Sequence, residues 1–258
     1  EAGHASQLET RGKRFVCLDI VHLQRHYKRR TCFDRHLYEC LRTKVAYKPI
    51  IDLDRKLQPG EELSQVQAEY TAVFVPLVVA YFSSVLGTNV TATDDLVCLD
   101  ASLPGKKFSK HLTIHTTTDS GAVYAYTDRA HEAAVMRGFR LAAEEAARGC
   151  ARLMSFLYFM HKGDLASVVD YAIYHAGKRD MRIIGSCKAS GKSRARGLRS
   201  LLPETGSGNR PLCHFLCNTF QSAVAAIRPP EGISCCARTK KRRRAHTASP
   251  NEPSDCTS

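Results

Sequence analysis

Apolar residues recur along this chain with two different periods, and the switches between them lay out its elements. Leu63, Val66, Tyr70, Val73, Leu77, Tyr81 and Val85 return every three or four positions, which places them on one face of a helix. Pro76 lies inside that run, where a missing backbone donor and a clash with the preceding turn predict a kink or a split, and Gly87 ends the helix. A second helix is predicted over residues 132–150, rich in alanine and arginine. Its charge is scattered, so it reads as scaffold. Residues 15–39 mix apolar positions with the basic cluster Tyr27-Lys28-Arg29-Arg30 on a helix or its edge, and residues 211–227 read as a last helix.

Strand patterns fill the intervals. Residues 48–54 form an apolar run that closes on two carboxylates just before the turn Gln58-Pro59-Gly60. Residues 95–102 and 107–115 alternate as a β-hairpin joined through Leu103-Pro104-Gly105. Residues 153–160 are strongly apolar and expected to be buried, and Lys162-Gly163-Asp164 leads from them into a further apolar strand over 167–174. Residues 201–209 have the composition of a linker, and 232–236 read as a short final strand. This mixture predicts an α+β fold with one core over residues 15–236, a disordered N-terminus at 1–14 and a basic, disordered tail at 237–258.

Composition narrows the partners. With 258 residues, 43% of them hydrophobic, the chain can bury a sizeable core, which excludes disorder over its whole length. Thirty-eight lysines and arginines against 25 acids leave a net charge of +13. The run Lys240 to Arg244 supplies five of those positive charges, but the remainder is still basic, which favours a polyanionic partner and nucleic acid before others. Eleven cysteines in a chain of this size, for which no signal peptide is expected, read as reduced thiols rather than a disulfide framework. No apolar run is expected to reach the ~18 residues of a membrane span, so no membrane partner is expected.

Three short stretches carry chemistry. On a strand, Asp52 and Asp54 project to one face while Leu53 packs on the other. Paired carboxylates repel unless a cation lies between them, and the hard oxygen-seeking ions Mg2+ or Mn2+ suit them. Further on, Lys107, Ser109 and His111 share one face of a strand, a cation, a hydroxyl and an imidazole in a row that can grip phosphate. Asp170 then places a third carboxylate in an apolar strand, followed by the basic set Arg179, Arg182 and Lys188.

The order Asp-x-Asp, Lys-Phe-Ser-x-His, Asp with Tyr174 four residues later, then Arg-x-x-Arg resembles the catalytic core of the archaeo-eukaryotic primase superfamily, and within it the primase-polymerase branch related to herpesvirus-type primases. His36-Leu37-Tyr38-Glu39, the strand Asp95 to Ser102, Ser186-Cys187-Lys188 and Gly191-Lys192 resemble further segments of that branch, so the likeness spans roughly residues 15–236 and is weakest over 116–161. Asp54 stands where the branch more often has Glu, and one extra residue separates Tyr174 from Arg179. The resemblance implies two lobes with sheet-borne acids in a cleft. It also implies a DNA primase or DNA-directed polymerase with Asp52, Asp54 and Asp170 catalytic and metal-binding, and with Lys107, Ser109, His111, Arg179, Arg182 and Lys188 on the (d)NTP. Partners would be a single-stranded DNA template with its primer, and replication proteins.

Rival readings have their own residues. A basic single-strand-binding protein that keeps the fold without catalysis is the main alternative. Gly185 to Ser193 resembles a P-loop but has five residues where four belong, which argues against a nucleotide hydrolase. Cys213, His214, Cys217, Cys235 and Cys236 lack a paired Cys-x2-Cys knuckle and read as structural residues rather than zinc ligands. The Lys240 to Arg244 run suits nuclear import, with a mitochondrial location as the alternative.

Overall fold

The structure, a computed structural model, describes residues 20–29, 37–174, 179–184, 186, 202–203, 212–217 and 224–227, and it is of mixed α+β class with several small sheets. The 48–54 and 107–115 patterns become β2 (Ile50–Lys56) and β4 (Lys107–Ile114), after a short β1 (Tyr38–Leu41). β3 (Leu96–Asp100) pairs with β4 through the expected turn, and β9 (Leu202–Pro203) closes the four-stranded sheet in the order β2-β4-β3-β9. β9 falls inside the stretch expected to be linker. Two bridged residues on an outer strand need little intrinsic propensity, and Pro203 fits an edge, where a missing donor costs no ladder bond.

The long helix forms as α2 (Leu63–Glu69) and α3 (Val75–Leu86), joined by a π turn over Tyr70–Phe74. The Val75 N–H reaches back to the Tyr70 carbonyl immediately before Pro76, so the missing proline donor falls in the first turn of α3. Gly87 caps α3 at φ 65°, a left-handed conformation that glycine adopts freely. Leu63–Leu86 spans 24 residues and contains an 18-residue window of mean hydropathy 1.5, long and apolar enough by length and composition to cross a membrane, which corrects the expectation that no segment is. Here it serves the core. Phe74 and Phe82 are fully buried, and Phe74 packs on Phe139 and Phe156 at ring separations of 6.1 and 5.3 Å.

Helix α4 (Arg129–Arg148) begins three residues before the expected start, because the Asp128 side chain caps it by accepting from the Ala130 and His131 amides. It is more than neutral scaffold. Its first turn buries an Arg129–Glu132 ion pair. The apolar run at 153–160 divides into α5 (Ala151–Leu157) and β6 (Tyr158–His161). Leu153, Phe156 and Leu157 are buried as expected, but Met154 and Met160 are exposed. A tight turn with Lys162 and Gly163 at positive φ returns the chain as β7 (Asp164–Ser167).

The expected helix over 211–227 is a four-residue α6 (Leu212–Phe215), and Val224–Ala226 instead form β10 beside β5 (Val123–Ala125). Partner-strand pairing outweighs helix propensity there. β8 (Arg179–Arg182) pairs antiparallel with β1, and the basic α1 (Ile20–Lys28) is helical as expected. Most buried side chains form one cluster that includes Leu53, Phe108 and Leu112 from one face of the sheet. A smaller cluster unites Val97 and Leu99 of β3, and Ala101 just beyond it, with Ile183, Ile184, Phe215 and Leu216 on the other face. Arg30, the P-loop-like residues from 187 to 193 and the final strand at 232–236 lie outside the described residues.

Candidate active site

Antiparallel register decides what meets on the open face. Asp52 stands opposite His111, Asp54 opposite Ser109 and Lys56 opposite Lys107, so the acids of β2 and the Lys107, Ser109 and His111 row of β4 share one face, as their spacing predicts. Ser109 is buried and forms the floor, its amide held by the Ser102 hydroxyl at 2.9 Å. His111 Nε2 lies 3.4 Å from Asp52 Oδ1, and Lys107 Nζ lies 3.3 Å from Asp54 Oδ1. The second pair is the more open one, with the Asp54 side chain 54% exposed against 19% for Asp52.

Asp170 approaches β2 from its outer edge. The bridge between Leu53 and Val169, with Asp54 N–H to Val168 O and Asp170 N–H to Asp52 O, both 2.9 Å, sets Asp170 opposite Asp52 on the carboxylate face. The third acid therefore joins the first two. It does not sit within the expected strand to 174, however, because the chain turns at Tyr171 into a 3₁₀ helix ending at Tyr174. The Asp170 carbonyl accepts from Ile173 N–H at 3.2 Å, so it is turned away from Asp52, whose amide a continued ladder would have paired with it. Tyr174 replaces it. Its hydroxyl accepts from Asp52 N–H at 3.1 Å and donates to Ile50 O at 3.2 Å. Burial, only partly opposed by the Asp52 amide, pushes the Tyr174 phenol well above its usual pKa, so it stays neutral and can accept and donate at once.

The 3₁₀ turn is held from behind by groups that sequence reasoning missed. Arg129 donates to the Ile173 carbonyl and to Tyr47 Oη, the latter at 3.2 Å, while its ion pair with fully buried Glu132 balances the charge. A legible signal existed in Arg-x-x-Glu directly after a capping Asp128.

Beside Asp54 and Asp170 a cavity of about 460 Å³ opens. Lys56 and Lys107 line it at the sheet end, and Phe159, His161, Ala166 and Tyr171 line it from the β6–β7 hairpin and the following turn. Phe159 and His161 alternate on one face of β6 with ring centroids 6.4 Å apart, and Arg55 packs over the Phe159 ring at 5.6 Å. Two rings at i and i+2 before a Lys-Gly turn were readable in the sequence but carried no assigned role.

The donor set is three carboxylates on one face, all oxygen, which fits a hard divalent cation better than zinc. Among the described residues no three His, Cys, Asp or Glu side chains converge closely enough to enclose a cation by themselves. Each acid is drawn to its own partner: Asp52 to His111, Asp54 to Lys107, and Asp170 Oδ1 to the Ala172 amide at 3.1 Å. Of the basic set, Arg182 lies on β8 opposite Tyr38, in a ribbon that joins the smaller apolar cluster through Ile183 and Ile184. Arg179 is opposite Leu41 on the same strand, its side chain not described, and Lys188 lies outside the described residues. Of the cysteine cluster, Cys217 is a buried free thiol and His214 stacks on His115 at 4.0 Å. Compared with known proteins, the chain matches no family model and no curated protein.

Proposed function

We propose that this chain is the catalytic core of a primase-polymerase of the archaeo-eukaryotic primase type, with its acids in a cleft between two lobes. It would transfer nucleotides from (d)NTPs to a 3′-hydroxyl on a single-stranded DNA template. The observation that supports this most is the single face shared by Asp52, Asp54 and Asp170, with Lys107 and His111 beside them, assembled from three stretches far apart in the chain.

In this reading the 3′-oxygen attacks the α-phosphorus and the bond between the α- and β-phosphates breaks. Pyrophosphate leaves with that electron pair, and the hydroxyl proton passes to solvent. Asp52, Asp54 and Asp170 would hold Mg2+ or Mn2+, which when bound neutralises phosphate charge and lowers the pKa of the attacking hydroxyl. Lys107 exchanges Asp54 for a phosphate oxygen, and His111 orients Asp52 while facing the same anion. Arg179, Arg182 and Lys188 add positive charge along the triphosphate. Tyr174 fixes the β2 backbone at Asp52, so the first acid is positioned before substrate arrives. Replication proteins as partners and a nuclear location, or else a mitochondrial one, belong to the same proposal.

The test is extension of a labelled primer on a single-stranded template with dNTPs or NTPs and Mg2+ or Mn2+, comparing the chain with Asp52→Ala/Asp54→Ala. Extension is expected from the parent alone, and equal extension by the double variant rejects the assignment. A second reading, a non-catalytic single-strand binder, draws on the acids being held apart by separate partners. Template binding that falls steeply with salt, without extension by either protein, selects it.

A further inference from the structure

Building on the polymerase reading, we infer that the cavity beside Asp54 and Asp170 seats the strand-terminal nucleotide whose 3′-hydroxyl attacks. Ser109 and His111 lie on β4, on one flank of the acids, whereas Asp170, Tyr171 and the β6–β7 hairpin lie on the other, with Lys107 between them at the sheet end of the cavity. In an in-line displacement the nucleophile and the leaving group stand on opposite sides of the phosphorus. A triphosphate gripped from the β4 flank therefore releases pyrophosphate on that flank, and the attacking oxygen enters from the cavity.

The cavity's own chemistry fits a nucleotide. At about 460 Å³ it is within the range of small-molecule sites, and its hairpin wall presents rings from Phe159, His161 and Tyr171. Aromatic faces accept any base by stacking, which suits a strand end of variable sequence. Ala166, opposite Phe159 in the hairpin register, is small and keeps the space open. At the sheet end Lys56 stands directly opposite Lys107, whose ammonium is paired with Asp54, so Lys56 adds a second positive charge to the cavity. The last internucleotide phosphate of the bound strand pairs with Lys56 there.

The test uses a primer ending in 3′-terminal 4-thiothymidine, annealed to a template, irradiated with the full chain and mapped by mass spectrometry. Cross-links within residues 158–171 are expected. Cross-links confined to 107–115 or elsewhere, or none at all, overturn the subsite. Steady-state extension gives the second readout. Ala166→Leu fills the cavity, and His161→Ala removes one ring from a half-exposed position if the first variant fails to fold. Either is expected to raise KM for primer–template at least about fivefold, the lower end of one base–aromatic stack, with KM for the nucleotide unchanged. A rise confined to the nucleotide KM overturns the subsite. The two readings fail separately. Hairpin cross-links without any extension keep the strand-end site and remove the polymerase assignment, while extension with cross-links elsewhere does the reverse.

Discussion

Two charged clusters meet at the turn ending in Tyr174, and they are built to opposite specifications. On the open side, Asp52, Asp54 and Asp170 share a solvent-accessible face with Lys107 and His111 at 3.3 and 3.4 Å. On the buried side, Arg129 and Glu132 are 4% and 0% exposed and lock the turn through the Ile173 carbonyl. Ion pairs in water are worth little, and broken buried ones cost much. The open cluster can therefore exchange its partners for a bound ion at small energetic cost, while the buried cluster holds the backbone those partners hang from. Under the polymerase reading, function is concentrated where the charges are loosely held, and stability where they are not.

Breaking the buried side gives the largest expected effect on stability. Glu132→Ala leaves Arg129 charged and uncompensated and should cost about 3–5 kcal/mol, read from urea denaturation midpoints. An unchanged midpoint would show that the pair does not carry the turn.

Alkaline pH attacks the same region. Tyr47, Tyr126 and Tyr174 are all raised above the ordinary value of 10.0, first by burial, with Glu132 contributing at each. Raised folded-state values add stability that is complete below pH 10.0 and is lost as pH climbs beyond it, because the unfolded chain then releases protons that the folded chain retains. Phenolate absorbance and circular dichroism should change together in a pH titration. Phenolate signal preceding unfolding would contradict the burial.

Tyr174→Phe keeps the ring and removes the shared hydroxyl, leaving the Asp52 amide short of an acceptor at a cost of about 1–3 kcal/mol. Under the polymerase reading kcat should drop with little change in nucleotide KM, a split that purely global destabilisation does not produce.

Acid acts more gently. Burial lowers the His131 pKa despite the nearby Asp128 carboxylate, so its contribution is full above the ordinary value of 6.5 and is lost as pH falls below it. His131→Gln should flatten stability between pH 7 and 5, measured by thermal melts.

The smallest structural effect belongs to the open side. Asp52→Asn or Asp54→Asn should leave the melting curve nearly unchanged, within about 0.5 kcal/mol, while abolishing extension. A large stability loss would place these acids with the buried cluster instead.

What the sequence disclosed follows the reach of each interaction. Alternation within one strand is local, so the common face of Asp52 with Asp54, and of Lys107 with His111, was legible before any fold was known. Asp170 was found by its motif, but its partner across the sheet was not, since the Leu53–Val169 bridge joins segments more than a hundred residues apart. Tyr174 was visible as a letter and silent as a bond for the same reason. Pro76 announced a disturbance in its helix, yet nothing local said that a π turn at Tyr70–Phe74 would absorb it. Residues 211–227 misled because short apolar segments fit either period, and the neighbour that settles Val224–Ala226 as a strand is β5, about a hundred residues earlier.

The edge of β2 has a consequence for how the protein is made. Val168 to Asp170, with the Tyr174 hydroxyl, provide its outer hydrogen-bond partners, and they are synthesised more than a hundred residues after the strand they cover. Until the ribosome has delivered that segment, β2 has an unpaired edge on which another chain can pair. Nascent chains stopped short of residue 168 should therefore be the species most in need of a chaperone, and chains extended past 174 the first able to cover that edge for themselves.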